Sequence, residues 1–97
     1  MNIRKSIEAA PTVEVRSDKP PTLEEAQAFV GGPVEALDVG YRTLLFNENG
    51  RLLGMPFNRA LFDHFRTRAG HLAFQVFRAN LVGNVLILTG DAKEGWS

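Results

Sequence analysis

The chain has 97 residues, enough for one domain. It contains no cysteine, which excludes disulfides and thiolate zinc sites, and its formal net charge of zero creates no global field that would attract nucleic acid. No stretch approaches the roughly 18 apolar residues of a membrane span, and the basic N-terminus precedes no apolar run. We therefore predict a cytoplasmic protein with no membrane partner.

The first 20 residues contain two segments that interrupt regular structure, at residues 9–11 and 19–21. Between them, residues 12–16 alternate apolar and polar side chains in the manner of a short strand. We expect residues 1–20 to be an N-terminal extension, either a mobile arm or an edge strand of the sheet.

A helix is predicted to begin after Thr22, because Thr22 and Glu25 form the pattern of a capping box. The two glycines that start at Gly31 predict its end. A strand follows over residues 34–39, and Gly40 permits a bend.

The next segment has the pattern of a β-hairpin. Residues 43–46 and 51–53 are the predicted arms, and residues 47–50 are the predicted turn. Asn47 is expected to bond to the backbone two residues further on, and Gly50 to adopt a positive φ.

Asn58 is a favourable N-cap, and the apolar spacing after it predicts a second helix over residues 59–69. Residues 72–77 and 85–88 predict two more strands, of which the last is apolar on both faces, as a central strand is. Residues 91–97 are expected to be a polar tail.

Together these elements predict one α+β domain over residues 21–90. Its sheet is mixed or antiparallel, with four or five strands, and two short helices pack on one face. The predicted core consists of Leu23, Ala26, Val30, Leu37, Leu45, Leu53, Leu61, Phe65, Phe74, Val85 and Ile87.

Four short segments carry a resemblance to a known family. They are a glycine pair before a strand, an Asn-x-x-Gly turn, an Asn-Arg-Ala helix start and a Gly-Asn pair before a hydrophobic strand, at residues 31–35, 46–50, 55–60 and 82–87. In their order and spacing, residues 21–90 resemble the domain-of-unknown-function family 3846 of phages, plasmids and bacterial mobile elements. The resemblance implies an accessory protein of a mobile element and no particular chemistry. It leaves out residues 1–20 and 61–77.

Side chains suited to catalysis are few. The only serines, Ser6, Ser17 and Ser97, lie in predicted tails, and neither His64 nor His71 has a carboxylate at metal-ligand spacing. No glycine-rich phosphate-binding motif occurs. We predict no catalytic residue, no cofactor and no metal. An enzyme would need an acid–base pair assembled by the fold from the histidines and Asp38, Asp63 or Asp91.

Asn58 and Arg59 are the best candidates for binding, because a helix N-terminus with a guanidinium beside it can hold a phosphate or carboxylate. Arg42 and Tyr41 could reach the same area, and Asn84 could present backbone to a partner. The structural alternative is that Asn58 only caps the helix and Arg59 is solvated. From these residues we predict a non-catalytic binding module that engages a host protein or a small anionic ligand.

The alternative function is nucleic-acid binding by residues 51–78, where five arginines and five phenylalanines accompany a single acidic residue. The zero net charge of the chain argues against this function, because neutralisation of phosphates supplies most of the affinity. Phenylalanines in excess of what one small core can hold would form an interface. We therefore also predict a homodimer, formed by pairing of sheet edges or by helix packing.

Overall fold

The computed structural model describes residues 10–66 and 82–96. Over these ranges the chain forms four strands, two α-helices and a short 3-10 helix. In chain order they are β1 (Val13–Arg16), α1 (Leu23–Val30), β2 (Val34–Val39), β3 (Arg42–Asn47), α2 (Arg59–Arg66), β4 (Val85–Leu88) and the 3-10 helix Gly90–Lys93. The strand predicted at residues 72–77 lies outside the described residues.

The four strands form one mixed sheet in the order β1-β4-β3-β2. β3 is antiparallel to both of its neighbours, so that Leu44 lies opposite Leu37 of β2 and Ile87 of β4. β1 pairs in parallel with β4 and places Val13 opposite Val85 at one edge of the sheet. The predicted α+β class, with a four-stranded mixed sheet and two helices, is confirmed.

The two inner strands, β3 and β4, bury side chains on both of their faces. α1 contributes Ala26 to a core that contains Leu45, whereas α2 contributes Phe65 to a core that contains Leu44. Adjacent residues of a strand point to opposite sides of the sheet. The helices therefore cover opposite faces, and not one face as we expected, because both faces of the inner strands carry buried apolar residues.

α1 begins and ends as predicted. The Thr22 hydroxyl accepts a hydrogen bond from the Glu25 amide at 3.0 Å, and the Glu25 carboxylate accepts one from the Thr22 amide at 3.0 Å. Gly31 ends the helix in the left-handed conformation, with φ of 83°. The capping box holds the first turn of a helix that has only eight residues.

The hairpin of this sheet lies one strand earlier than predicted. Gly40, with φ of 65°, and Tyr41 form a two-residue turn that joins β2 to β3. Residues 51–54 form turns and not a strand. The amide of Leu53 closes one of these turns by donating to a carbonyl four residues back, at 2.9 Å. The chain therefore leaves the sheet at the end of β3.

The turn that follows β3 is partly as predicted. The side-chain oxygen of Asn47 accepts a hydrogen bond from the Asn49 amide at 2.7 Å, as expected. Gly50, however, does not adopt a positive φ. Its small size is what the fold requires, because a Cβ at Gly50 would lie 2.8 Å from a methyl group of Val82.

Most of the predicted core is buried, and Leu37 packs on it while partly exposed. Two assignments are wrong, since Leu23 is 56% and Leu53 63% exposed. Leu53 lies in the turns that follow β3. Leu23 is the first residue of α1, one turn before the buried Ala26. Phe74 lies outside the described residues. The confirmed core residues are Ala26, Val30, Leu45, Leu61, Phe65, Val85 and Ile87.

The segment that we expected to be a polar tail packs against the sheet. Ala92 of the 3-10 helix is fully buried in the same core as Ala26, and Trp96 packs against that core. The Trp96 indole donates a hydrogen bond to the Pro21 carbonyl at 3.0 Å. This segment thus closes the open end of the α1 side of the sheet.

We predict that Glu25 makes stability depend on pH. The bond from the Thr22 amide, helped by the charge of Arg16 at 3.5 Å, lowers the pKa of Glu25 below its usual 4.5. Such a carboxyl stabilises the fold above its unfolded-state pKa, and the stabilisation is lost as the pH falls through the folded-state value. Glu25→Gln keeps the shape and removes the charge. We expect it to lower the free energy of unfolding in urea at pH 7, by an amount that shrinks as the pH falls below about 4.5.

Glu24→Gln is the matched control, because it removes a charge from the same turn of α1 at a side chain outside the capping box. A loss of stability that is equal in the two variants at every pH would contradict this assignment.

Candidate ligand-binding site

Asn58, one of the predicted binding residues, is a structural residue. Its side chain is fully buried, and its oxygen caps α2 by accepting from the Leu61 amide at 2.8 Å. Its amide nitrogen donates to the carbonyls of Gly83 at 2.7 Å and Thr12 at 3.1 Å. Both amide hydrogens are therefore engaged, and Asn58 ties the start of α2 to the starts of β1 and β4.

Asn84 has a similar structural use. Its side-chain oxygen accepts from the Thr12 amide at 2.9 Å, and its nitrogen donates to the Phe29 carbonyl at 3.0 Å. Asn47 likewise donates to the Val30 carbonyl at 3.1 Å. Three asparagine side chains thus join the loops at one end of the sheet, and we call this the asparagine end.

Arg59 lies on the surface at the asparagine end. Its guanidinium pairs with Asp63 at 3.3 Å and lies 5.4 Å from the centre of the Phe62 ring. Because Asn58 already occupies the cap position of α2, a phosphate or carboxylate would have to displace that bond to use the helix start. The structure favours the structural alternative for Asn58.

Tyr41 and Arg42 are placed elsewhere, at the opposite end of the sheet. Arg42 lies near Phe65 in the last turn of α2, whereas Arg59 begins that helix. The structure therefore divides the five predicted binding residues into two groups. Asn58, Asn84 and Arg59 belong to the asparagine end, and the other two form a separate corner.

The Tyr41 corner consists of an exposed ring stacked on a buried cation. Tyr41 occupies the hairpin turn and is 65% exposed, while Arg42, the first residue of β3, is only 7% exposed. The guanidinium carbon of Arg42 lies 4.3 Å from the centre of the Tyr41 ring and 5.4 Å from that of Phe65. It lies within cation–π distance of two aromatic rings, contacts that suit a planar cation.

The buried guanidinium has no carboxylate within salt-bridge distance in residues 10–66 and 82–96. Its hydrogen bond in this part of the chain goes from Nη2 to the Tyr41 hydroxyl, at 2.8 Å. A buried charge is normally paired, since removal from water is costly. The charge of Arg42 is thus directed at an exposed phenol and not at an internal acid.

An open cleft of about 590 Å³ lies beside Tyr41, on the side of the 3-10 helix. Lys93 lines it, and its ammonium donates to the Tyr41 backbone carbonyl at 3.0 Å. Asp91 and Glu94 also line the cleft. Lys93 and Glu94 were not among the predicted site residues, and Asp91 was considered only as an acid of an enzyme, because residues 91–97 were expected to be a polar tail. The one signal for them was the Gly90-Asp91 pair after an apolar strand, which is typical of a turn.

Two of the acids and one histidine considered for an acid–base pair each make a different contact in the described residues. Asp38 accepts from the Thr43 hydroxyl at 2.8 Å, Asp63 pairs with Arg59, and His64 packs edge-on against Phe65. The described ranges hold no group of three side chains that could ligate a metal ion. Neither described helix is long and apolar enough to cross a membrane.

The arginine-rich segment 51–78 is only partly within the described ranges. Arg51 and Arg59 are exposed at the asparagine end, whereas Arg68, Arg78 and His71 lie outside the described residues. Nucleic-acid binding by this segment remains a prediction.

Comparison with known proteins identifies a family and no relative of known activity. A family model described as "Domain of unknown function (DUF3846)" matches residues 3–97. The match is wider than the resemblance noted above, and it includes residues 1–20 and 61–77, which that resemblance left out. No curated protein and no solved structure matches the chain.

We predict that Asn58 supports the fold. Asn58→Ala removes the cap of α2 and leaves the buried Gly83 carbonyl without its donor. We expect it to lower the free energy of unfolding by about 2–4 kcal/mol, measured by urea denaturation. Arg59→Ala, the exposed neighbour, should change the same quantity by less than about 0.5 kcal/mol. Equal, small effects of both variants would show that the Asn58 side chain is not needed for folding.

Proposed function

Because the chain belongs to the DUF3846 family, whose description assigns no activity, we propose a function from the Tyr41 corner. The protein is a non-catalytic binding module that engages a host protein or a small anionic ligand. It receives a carboxylate or phosphate of that partner at Tyr41 and Lys93. The observation that carries the proposal is that the buried Arg42 donates its side-chain hydrogen bond to the hydroxyl of the exposed Tyr41.

The direction of one hydrogen bond leaves the Tyr41 hydroxyl able to donate to a ligand. Arg42 has only donors, so the Tyr41 oxygen accepts at 2.8 Å and keeps its own proton for a further acceptor. A hydroxyl that accepts from a cation is a stronger donor, since successive hydrogen bonds polarise one another. Tyr41 therefore presents a strengthened donor on the surface, and an anion is its best acceptor.

Lys93 supplies a second donor at the same corner. Its ammonium lies 3.0 Å from the Tyr41 carbonyl, and no carboxylate of the described chain pairs with it. Two positive charges thus converge on one residue, Arg42 behind its ring and Lys93 beside its backbone. A negative group beside Tyr41 and Lys93 would be attracted by both charges, against the repulsion of Asp91 and Glu94, which line the same cleft.

The contacts of two acidic residues also support a binding function over a catalytic one. Asp38 accepts from Thr43 and Asp63 pairs with Arg59, so each makes a local contact on its own element or hairpin. An acid–base pair that used Asp38 or Asp63 would require these contacts to be exchanged. The reading of the protein as a non-enzyme rests on this argument and stays a proposal.

Three further parts of the proposal concern the setting. The family resemblance implies an accessory protein of a phage or mobile element, and the cysteine-free sequence suits the cytoplasm. A homodimer is supported by β1 and β2, the two edge strands among the described residues, because an edge strand can pair with a second chain.

An anion titration tests the proposed site. We expect inorganic phosphate at low ionic strength to shift the backbone amide NMR signals of residues 40–42 and 90–95. Lys93→Ala should weaken the apparent affinity about fivefold, the effect of one partly exposed ionic contact. Tyr41→Phe keeps the ring, removes the hydroxyl and should weaken it by a similar factor.

Arg51→Ala is the matched control, because it removes one exposed positive charge at the asparagine end. It should leave phosphate binding at the Tyr41 corner unchanged. Signals that shift at residues 58–61, or a loss of affinity equal in Arg51→Ala and Lys93→Ala, would contradict the proposal.

A further inference from the structure

Tyr41 lines the cleft, and most of this residue is exposed. One face of its ring carries the Arg42 guanidinium at 4.3 Å, and the residue remains 65% exposed. The opposite face is therefore in contact with solvent. A planar ring placed there would stack on Tyr41 opposite the Arg42 guanidinium, and stacking on an exposed aromatic ring is a common means of holding a nucleobase.

The acidic residues of the cleft indicate a second property of the ligand. Asp91 and Glu94 line the same space as Lys93. A bare anion would be attracted by the lysine and repelled by the two carboxylates. A ligand that also carries hydroxyl groups would use the carboxylates as acceptors, as proteins often do with ribose.

The dimensions of the cleft fit a small molecule. Its volume of about 590 Å³ lies within the range of small-molecule sites, roughly 300–1,000 Å³. A bare phosphate would fill only a small part of this space. Gly90 and Gly95, both with positive φ, also line it, so the backbone there carries no side chain that would obstruct a ring.

We propose that the ligand of this cleft is a free nucleoside monophosphate. Its base stacks on the open face of Tyr41, its ribose hydroxyls donate to Asp91 and Glu94, and its phosphate accepts from the Tyr41 hydroxyl and Lys93. This inference rests on the proposed function, because it names the anion that the Tyr41 corner receives. It requires none of the familiar nucleotide-binding loops, which the sequence lacks.

The test compares ligands that each lack one part. Adenosine 5′-monophosphate, ribose 5-phosphate, 2′,3′-dideoxyadenosine 5′-monophosphate and inorganic phosphate are titrated into the whole protein, and dissociation constants are measured by NMR or calorimetry. We expect adenosine 5′-monophosphate to bind about tenfold or more tightly than ribose 5-phosphate, as the contribution of one stacked base. The dideoxy compound should bind more weakly than the ribonucleotide.

Variants assign each difference to a residue. Tyr41→Leu should abolish the advantage of adenosine 5′-monophosphate over ribose 5-phosphate, whereas Tyr41→Phe should keep it. The double variant Asp91→Asn, Glu94→Gln should reduce the preference for the ribonucleotide over the dideoxy compound. Asp91 and Glu94 are exposed, so an unchanged melting temperature verifies that the double variant is folded. Both Tyr41 variants remove the acceptor of the buried Arg42 and are expected to melt at a lower temperature, so unchanged amide NMR signals away from residues 40–42 verify that they are folded.

The outcomes separate this inference from the proposed function. If phosphate and adenosine 5′-monophosphate bind with equal affinity at the Tyr41 corner, the nucleotide is excluded while the anion site remains. If neither shifts signals of residues 40–42 and 90–95, both proposals are wrong. A ten-nucleotide oligonucleotide that binds more tightly than the mononucleotide would overturn the assignment to a free nucleotide.

Discussion

The constraint on which this structure depends is that β3 and β4 bury apolar residues on both faces. Every residue of β4 is buried, and Leu44 and Leu45 of β3 point to opposite sides of the sheet. A strand with no polar face must be covered on both sides, as in sheets that lie between helices. One helix on each face, with the 3-10 helix and Trp96 beside α1, is the arrangement that meets this requirement in the described residues.

Covering both faces creates a problem at the ends of the strands, where loops must cross the sheet edge and leave backbone groups without partners. At one end the asparagine side chains solve it, because each carries both a donor and an acceptor. Asn58 alone links α2, Thr12 and Gly83. Asn58 and Asn84 were predicted as binding residues because they are polar, yet their side chains bond to groups within the fold. Polarity near a helix start is therefore weak evidence for a ligand unless the side chain is exposed.

Local features of the fold could be predicted from the sequence, whereas features set by distant contacts could not. The capping box of Thr22 and the cap bond of Asn58 join residues three apart, and the position of β2 is indicated by its own sequence pattern. The segment 51–54 forms turns in place of the predicted strand, so Leu53 is exposed. The sequence of β4 is apolar on both faces, which indicates that each face of the sheet must be covered. We nevertheless predicted both helices on one face. Lys93 could not be foreseen, because its role comes from contact with a turn 52 residues away.

The Tyr41 corner is in contact with one of the two cores. Arg42 leans on Phe65, which is fully buried in the core beneath α2, so the exposed ring of Tyr41 is connected to the hydrophobic interior through one guanidinium. The turn itself has only two residues and is fixed by the pairing of Val39 with Arg42. A side chain held in this way loses little conformational entropy when a partner binds, which favours affinity without new contacts. The apolar face that the fold had to cover thus also positions the residue best placed to meet a ligand.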